Sequence, residues 1–521
     1  MTPPGQTTGP LTRPPVDGAS APAGSSLGDG LLTVVLVSSL SLVLLLCAPS
    51  LRHWLMVPVT VSGILIGVDT VRWFRHRTDI FDPRAYLGLT GFHFFYLTPV
   101  LHITLDHWSP RIYDPPDWPN AIGAMAVLNT VGLCVYRLVV AAPSRRGRRH
   151  RSAGPLGVRS FCRIALFAAA ISFGAFCLEL AMFGGVSGFV DVMTGSFERP
   201  ELAGLGWFLL LTEAFPLLVV AVVLMRWRAT LARRPGLLVL LLVALAVTQF
   251  FVSGLKGSRS STLWPVLLCL IMVHLLVRRI SRRSLFVVGT VLLLYLYGYG
   301  LYKSAGLDVL DVVKGDRSVE QVSADTGRDL PTMLTGDLGR ADVQAVLLDR
   351  HLHGQAPLTL GSTYLNAFTT LVPDSLLPWQ PMSKVEAGTR LLYGPTALEG
   401  EQRSSKVYGL AGEAMINFGP FGAVVAFALF GLLVRAVRAY YLQAARRPEL
   451  APKLLAPMVW TLVGVLSADL DNVVFFQLKY TLPMAVVVLA ARHAQRRSIP
   501  SGARLVPRAR KAAHRAPVGT R

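Results

Sequence analysis

Apolar blocks of about twenty residues alternate along this chain with short loops dense in arginine, and that alternation limits what it can fold into. A helix needs roughly 20 residues to cross about 30 Å of hydrocarbon. Twelve blocks of that kind begin near residues 31, 53, 86, 120, 162, 204, 236, 262, 284, 411, 453 and 473. The pattern predicts an all-α, polytopic membrane protein with about 12 transmembrane helices. Composition agrees: of 521 residues 52% are hydrophobic and only 16% charged, whereas a soluble chain of this length would form several domains richer in charge.

Orientation follows from the basic loops. With the N-terminus inside, RWFRHR (72–77), SRRGRRHR (144–151), RWRATLARR (226–234), RRISRR (278–283), RAVRAYYLQAARR (435–447) and the tail from Arg492 all fall on one side. Positive loops are retained in the cytoplasm, so both termini are expected to be cytoplasmic. The formal net charge of +21 is then a consequence of topology, and no nucleic-acid partner is expected. Five cysteines lie in or beside apolar blocks without ligand spacing, so neither a disulfide framework nor a zinc site is expected.

The chain divides accordingly. Residues 1–30, rich in Pro, Gly, Ser and Thr, are expected to be a disordered cytoplasmic N-terminus without the pattern of a signal peptide. Helices one to nine fill 31–302, and one long external loop, 303–405, lies between helices 9 and 10. Helices ten to twelve fill 406–492, and 493–521 is a basic cytoplasmic tail lying on anionic lipid or disordered. A long loop punctuated by Gly and Pro in a compact helical bundle is usually functional. GGVSGFVDVMTGSFERPELAG (184–204) is too polar to span and reads as an interfacial or re-entrant helix. The chain has no internal repeat, which weighs against a transporter.

Three stretches carry candidate chemistry. FFVSGLKGSRSSTLWP (250–265) sets Lys256 and Arg259 among glycines and serines, on the side that otherwise avoids cations. That suits a phosphate held by an arginine fork, or else a snorkelling turn that caps the next helix. In the long loop a helical period opens at 335, with Asp337, Arg340 and Asp342 at its start and Arg350, His351 and His353 at its end. Arg340 would bind phosphate or pair with a neighbouring acid; the two histidines read as surface residues. In GLAGEAMINFGPFGA (409–423), Glu413 and Asn417 stand at i and i+4 and share a helix face among glycines. A carboxylate at the membrane boundary is costly unless paired or functional, so Glu413 either pairs with an arginine or acts on a substrate hydroxyl. His93, His102, Arg137, Glu179, Glu213, Asp469 and Lys479 are scattered, form no evident proton ladder and read as structural. Asp469, Asp471 and Asn472 join the last two helices and are placed to line the same cavity as Glu413.

On these residues the chain resembles bacterial oligosaccharide-repeat-unit polymerases, the O-antigen polymerase (Wzy-type) group. The likeness covers roughly 180–435 and rests on Gly257-Ser258-Arg259, on Arg340 and Asp342 followed by LGSTYLNAFTTLVPDSLLPWQP (360–381), and on GEAMINFGPFG (412–422). The spacing from Arg350 to Gly361 also fits, though such a spacing arises easily; Met415 departs from the aromatic residue frequent in the family. The resemblance implies glycosyl transfer on the outer leaflet of the bacterial cytoplasmic membrane, from a polyprenyl-pyrophosphate-linked chain to a sugar hydroxyl of an incoming lipid-linked unit. A flippase, a chain-length regulator and membrane lipids would be its partners.

No cofactor and no metal are expected. Arg259 and Arg340 would take up the departing diphosphate, with Arg199, Arg350 and Arg403 in reserve. Glu413 would be the base or hydroxyl acceptor and Asp342 the second choice, while Lys256, Tyr364, Asn417 and Asp469 would bind substrate. Two alternatives stay open. One is a ligase-like or other polyprenyl-linked glycosyltransferase, against which the acid-free first outer segment, CAPSLRHW (47–54), counts in part. The other is a flippase or transporter for the same lipid-linked sugars.

Overall fold

In a computed structural model the described residues are 23–498, apart from Arg111, 144–155, 195–205, 306–311, Val313, 370–371, 373–376, Pro378 and 400–405. Described segments are helical or irregular, with no strand among them. The helices are α1 (Ala23–Cys47), α2 (Met56–Phe74), α3 (Pro83–Phe92), α4 (Thr98–Leu105), α5 (Trp118–Ala141), α6 (Val158–Met182), α7 (Gly185–Thr194), α8 (Gly206–Thr212), α9 (Phe215–Arg226), α10 (Arg228–Arg233), α11 (Pro235–Gln249), α12 (Ser260–Leu276) and α13 (Arg282–Ala305). Then come α14 (Val319–Thr326), α15 (Ala341–Leu352), α16 (Ser362–Thr369) and α17 (Lys384–Tyr393) in the long loop. The chain continues with α18 (Gly409–Arg446), α19 (Leu450–Trp460), α20 (Leu470–Phe476) and α21 (Leu482–Ser498). Among the described residues nine helical runs are long and apolar enough to cross a membrane, so the molecule is a polytopic helical membrane protein. Of the twelve expected starts, the one near 204 lies outside the described residues, and those near 86, 262 and 453 fall in helices that are not among the nine spanning runs.

Local chemistry sets several helix starts. Asp82 accepts from Arg84 N–H at 3.0 Å with Pro83 in the first turn, and Asp117 accepts from Asn120 N–H at 2.9 Å ahead of α5. Ser318 and Gln321 form a capping box on α14, and Ser383 caps α17. Helices α5 and α18 pack face to face. Gly132 of α5 has no room for a side chain because the Phe427 ring fills that space.

Two ends of the bundle differ in charge. At one end the loops meet through Asp79, which accepts from Arg279 at 2.6 Å and from the Tyr441 hydroxyl at 2.7 Å. There Arg438 also holds Asp82, and Arg282 donates to the carbonyls of Trp73 and Thr78. This arginine-rich knot gathers segments 72–82, 278–283 and 435–447. The opposite end carries α14–α17, packed over the 106–117 segment: Ser109 N–H donates to Asp342, and Tyr113 N–H donates to the Leu392 carbonyl at 2.6 Å.

Three expectations are corrected. Helix α1 begins at Ala23, so the part of 1–30 that is described is helical; residues 1–22 lie outside the described residues. Likewise α21 runs to Ser498, past the expected start of the tail at 493, because AARHAQRRS continues a helix-forming run. The tenth helix is not continuous. At 38 residues α18 would reach about 57 Å, nearly twice the hydrocarbon thickness. It breaks at Gly419, with φ 68° and ψ −168°, a conformation open to glycine, followed by Pro420. Residues Gly409 to Phe418 therefore form a separate stub.

Candidate functional site

The break in α18 builds the site. Pro420 has no N–H, so the Ile416 carbonyl, four residues earlier, loses its helical donor. Thr359, on the chain leading into α16, replaces it, with its N–H at 3.1 Å and its hydroxyl at 3.2 Å. The Leu360 N–H takes the Asn417 carbonyl at 3.0 Å. The long loop is thereby stitched to the stub that carries Glu413 and Asn417.

Those two residues share a face as their spacing predicts, and both are buried. Asn417 Nδ2 donates to Thr363 Oγ1 at 2.7 Å and to the Glu413 carbonyl at 2.8 Å, while its Oδ1 accepts from Thr359 Oγ1 at 2.8 Å. Glu413 does not pair with an arginine. Its Oε2 accepts from Leu470 N–H at 2.7 Å and its Oε1 from Thr363 Oγ1 at 3.4 Å, and no cation among the described residues bridges to it. Asp469 stands beside it at the start of α20. Its Oδ1 accepts from Tyr408 and Gly409 N–H, each at 2.8 Å, which places an anion on the positive N-terminus of α18. Lys384 of α17 bridges Asp469 and Asp471 at 2.8 Å each. Burial lowers the affinity of Lys384 for its proton, but the two carboxylates outweigh it and its pKa lies above the ordinary value. Burial and the acids Glu413 and Asp469 push the Tyr364 phenol upward in turn, so Tyr364 lies within electrostatic reach of both acids.

The cationic group lies alongside. Arg259 Nη1 meets Asp337 Oδ2 at 2.6 Å, and Arg328 approaches the same carboxylate at 3.3 Å. Burial alone would raise the Asp337 carboxyl, but Arg259 and Arg328 hold it below the usual carboxylate range. Arg340 pairs with no carboxylate. Its Nη1 donates to the carbonyls of Gly336 (2.8 Å), Asp337 (3.0 Å) and Gly339, and its buried Nε has no partner. Burial disfavours its charge, Asp469 supports it and Arg259 opposes it, so Arg340 lies within electrostatic reach of both groups. Asp342 is buried and accepts from Val343 and Ser109 N–H, with His102 Nε2 at 3.8 Å. Against the upward push of burial, His102, Ser109 and Lys406 keep its pKa below the ordinary value. A hollow lined by Leu296, Tyr297, Gly300, Arg328, Asp329, Met333 and Asp337 opens next to this group.

Nothing known matches the chain: no family model, no curated protein and no solved structure. The chemistry therefore rests on the geometry alone.

Of the residues singled out from sequence, Glu413 and Asn417 lie in one buried cluster, Tyr364 is within electrostatic reach of Glu413 and Asp469, and Arg340 is within reach of Asp469 and Arg259. Arg350 lies apart. Its guanidinium stacks over the Tyr113 ring, 4.2 Å from the centroid. Arg199 and Arg403 lie outside the described residues. Lys256 lies in an ionic group, with Glu179 at 2.8 Å and Glu213 at 3.7 Å. Lys479 meets Glu213 at 2.9 Å, and Ser253 donates to the same carboxylate. Glu179, Glu213 and Lys479 are consequently clustered and not scattered, and Ser253 and Lys479 both sit on π-helical turns. Thr363, Lys384, Lys406, Arg328 and the contact between His102 and Asp342 were not foreseen. The Ser383–Glu386 spacing marks the start of α17, but nothing in it signals a contact 85 residues away.

Proposed function

We propose that this chain is a metal-independent glycosyltransferase that joins lipid-linked oligosaccharide units into a cell-surface polysaccharide. In this reading it crosses a bacterial cytoplasmic membrane twelve times, with the arginine-rich end inside and α14–α17 outside. The donor is a polyprenyl-diphosphate-linked chain and the acceptor a sugar hydroxyl of a second lipid-linked unit. A flippase that delivers units and a chain-length regulator are its natural partners.

One observation carries the reading. Arg340, half-buried with a buried and unpartnered Nε, lies within electrostatic reach of both Arg259 and Asp469, at the end of the bundle away from the arginine-rich loops. A departing diphosphate needs positive charge where it leaves, and an acceptor hydroxyl needs a proton acceptor. Glu413 Oε1, held only by the long contact from Thr363, takes the hydroxyl proton as the oxygen attacks the anomeric carbon. The bond from that carbon to the diphosphate oxygen breaks, and the diphosphate leaves toward Arg340 and Arg259. Arg259 is already engaged by Asp337, so the diphosphate competes with that carboxylate. Holding both lipid-borne substrates at one site contributes much of the rate through proximity.

Lipid-linked glycans from cells lacking the gene test the reading. Single units should accumulate on the outer leaflet while long chains disappear. Unchanged long chains would refute it.

A second reading is a carrier for the same glycans, favoured by the Lys256–Glu179–Glu213–Lys479 group, since ionisable residues buried among apolar helices commonly serve ion coupling. Accumulation on the inner leaflet would favour it.

A further inference from the structure

At the loop end of the bundle, the chain leading into α16 and the break in α18 turn large apolar side chains outward. Leu360 is 75% exposed, Phe368 56% and Leu365 44%, while Phe418 and Phe421, on either side of the break, are 45% and 77% exposed. These residues form one surface. A Cβ on Gly361 would touch the Phe418 ring, one on Gly419 would touch Leu358, and the rings of Tyr364 and Phe418 are 6.2 Å apart.

Helix α16 is inverted relative to a helix facing water. Thr363 and Ala367 point inward toward the Glu413 pocket, and Leu365 and Phe368 point outward. A helix on an aqueous surface carries its polar residues outside. Leu360 also holds a left-handed backbone, φ 49°, which is unfavourable for a residue with a branched side chain and is fixed by its bond to the Asn417 carbonyl. Backbone strain is therefore accepted at the position that presents a leucine outward.

The covering partner follows from continuity. Below the break Phe421, Val425, Leu429 and Leu432 recur at steps of four and three and are all exposed, so they form one stripe along α18, with exposed Phe418 directly ahead of the break. Below the break, α18 is apolar and long enough to cross a membrane, and an exposed apolar stripe on such a helix faces lipid. The patch around Leu360 continues the top of that stripe without interruption.

We propose that segment 358–368 is an interfacial element lodged in the leaflet at the loop end of the bundle, with Leu360, Leu365 and Phe368 against acyl chains. Thr363, on the opposite face of α16, donates to Glu413. The Glu413 cluster is then separated from lipid by one helix, and a lipid-borne head group approaches it sideways from the bilayer. This assignment depends on the membrane setting and not on the chemistry proposed for the pocket.

Full-length protein with its five cysteines replaced by alanine, and Leu360→Cys carrying an environment-sensitive fluorophore, tests it in lipid nanodiscs. The expected result is blue-shifted emission, loss of intensity with lipids bearing a nitroxide near the carbonyl end of the chain, and no loss with aqueous iodide. Arg390→Cys, at an exposed position of α17, supplies the aqueous reference with the reverse pattern. Phe368→Cys repeats the measurement should the Leu360 variant misfold. Emission typical of water with quenching by iodide would overturn the proposal. Shielding from both quenchers would also overturn it, because a protein surface would then cover the patch.

Discussion

In the proposed reaction Glu413 is the residue that takes the hydroxyl proton. Replacing it by glutamine keeps an oxygen for the Leu470 N–H and nearly the same volume, so folding should be preserved. Elongation by purified protein should fall by about 10²–10⁴-fold if the carboxylate serves as base, with the melting temperature unchanged. Equal activity would remove Glu413 from the reaction. Lys384 behaves differently because it holds a buried carboxylate, Asp469, and a half-buried one, Asp471, together. Lys384→Met should destabilise the protein by about 3–5 kcal/mol, since Asp469 and Asp471 lose their counter-charge. Its folded-state pKa lies above the ordinary lysine value of 10.5, so its contribution is complete below pH 10.5 and is lost as pH rises through the folded value. Asp337 has the opposite sign: depressed below 3.8, it stabilises above that pH and ceases to as pH falls through its folded value. Thermal melts across pH should show both limits, the alkaline one absent from Lys384→Met. Glu413 and Asn417 were legible because helical spacing fixes a shared face. Lys384 and Thr363 were not, because their partners lie far away in sequence.

At the level of elements, the interruption in α18 does most to make a site. The dipeptide Gly419-Pro420 was visible in the sequence, yet the apolar run on either side read as one helix. Only the backbone geometry reveals that Glu413 sits on a stub ahead of the long apolar segment. The stub depends on two features: a glycine-only conformation, and donors from Thr359 and Leu360 for the carbonyls freed by the break. Gly419→Ala should cost about 1–3 kcal/mol, because alanine pays for that backbone region. Amide exchange at Thr359 and Leu360 should accelerate with it, and unchanged exchange there would separate the loop from the break. Helices α15–α17 illustrate the other limit of sequence reading. The period opening near 335 indicated α15, but the packing of these short helices over the 106–117 segment depends on contacts such as Tyr113 to Leu392 that no local pattern encodes.

Across the whole molecule, arginines gather in two separate clusters. Arginines of the short loops knot one end together around Asp79 and Asp82, whereas Arg259, Arg328 and Arg340 gather at the other end under α14–α17. The helical bundle could be read from hydropathy because crossing lipid demands apolar length, and the asymmetry of the loops from their arginines. The ionic group of Glu179, Glu213, Lys256 and Lys479 could not, since its members come from four separate segments and meet only through packing. The same packing engages Lys256, expected at the phosphate site, with Glu179 and Glu213. If Arg259 and Arg340 together receive a diphosphate, the decisive measurement is binding of a sugar-free polyprenyl diphosphate to the purified protein in nanodiscs. Wild-type protein should bind it with an affinity that falls as salt rises, Asp337→Asn should bind it more tightly, and Arg259→Ala combined with Arg340→Lys should lose most of it. Equal binding by all three proteins would contradict the assignment of those guanidinium groups.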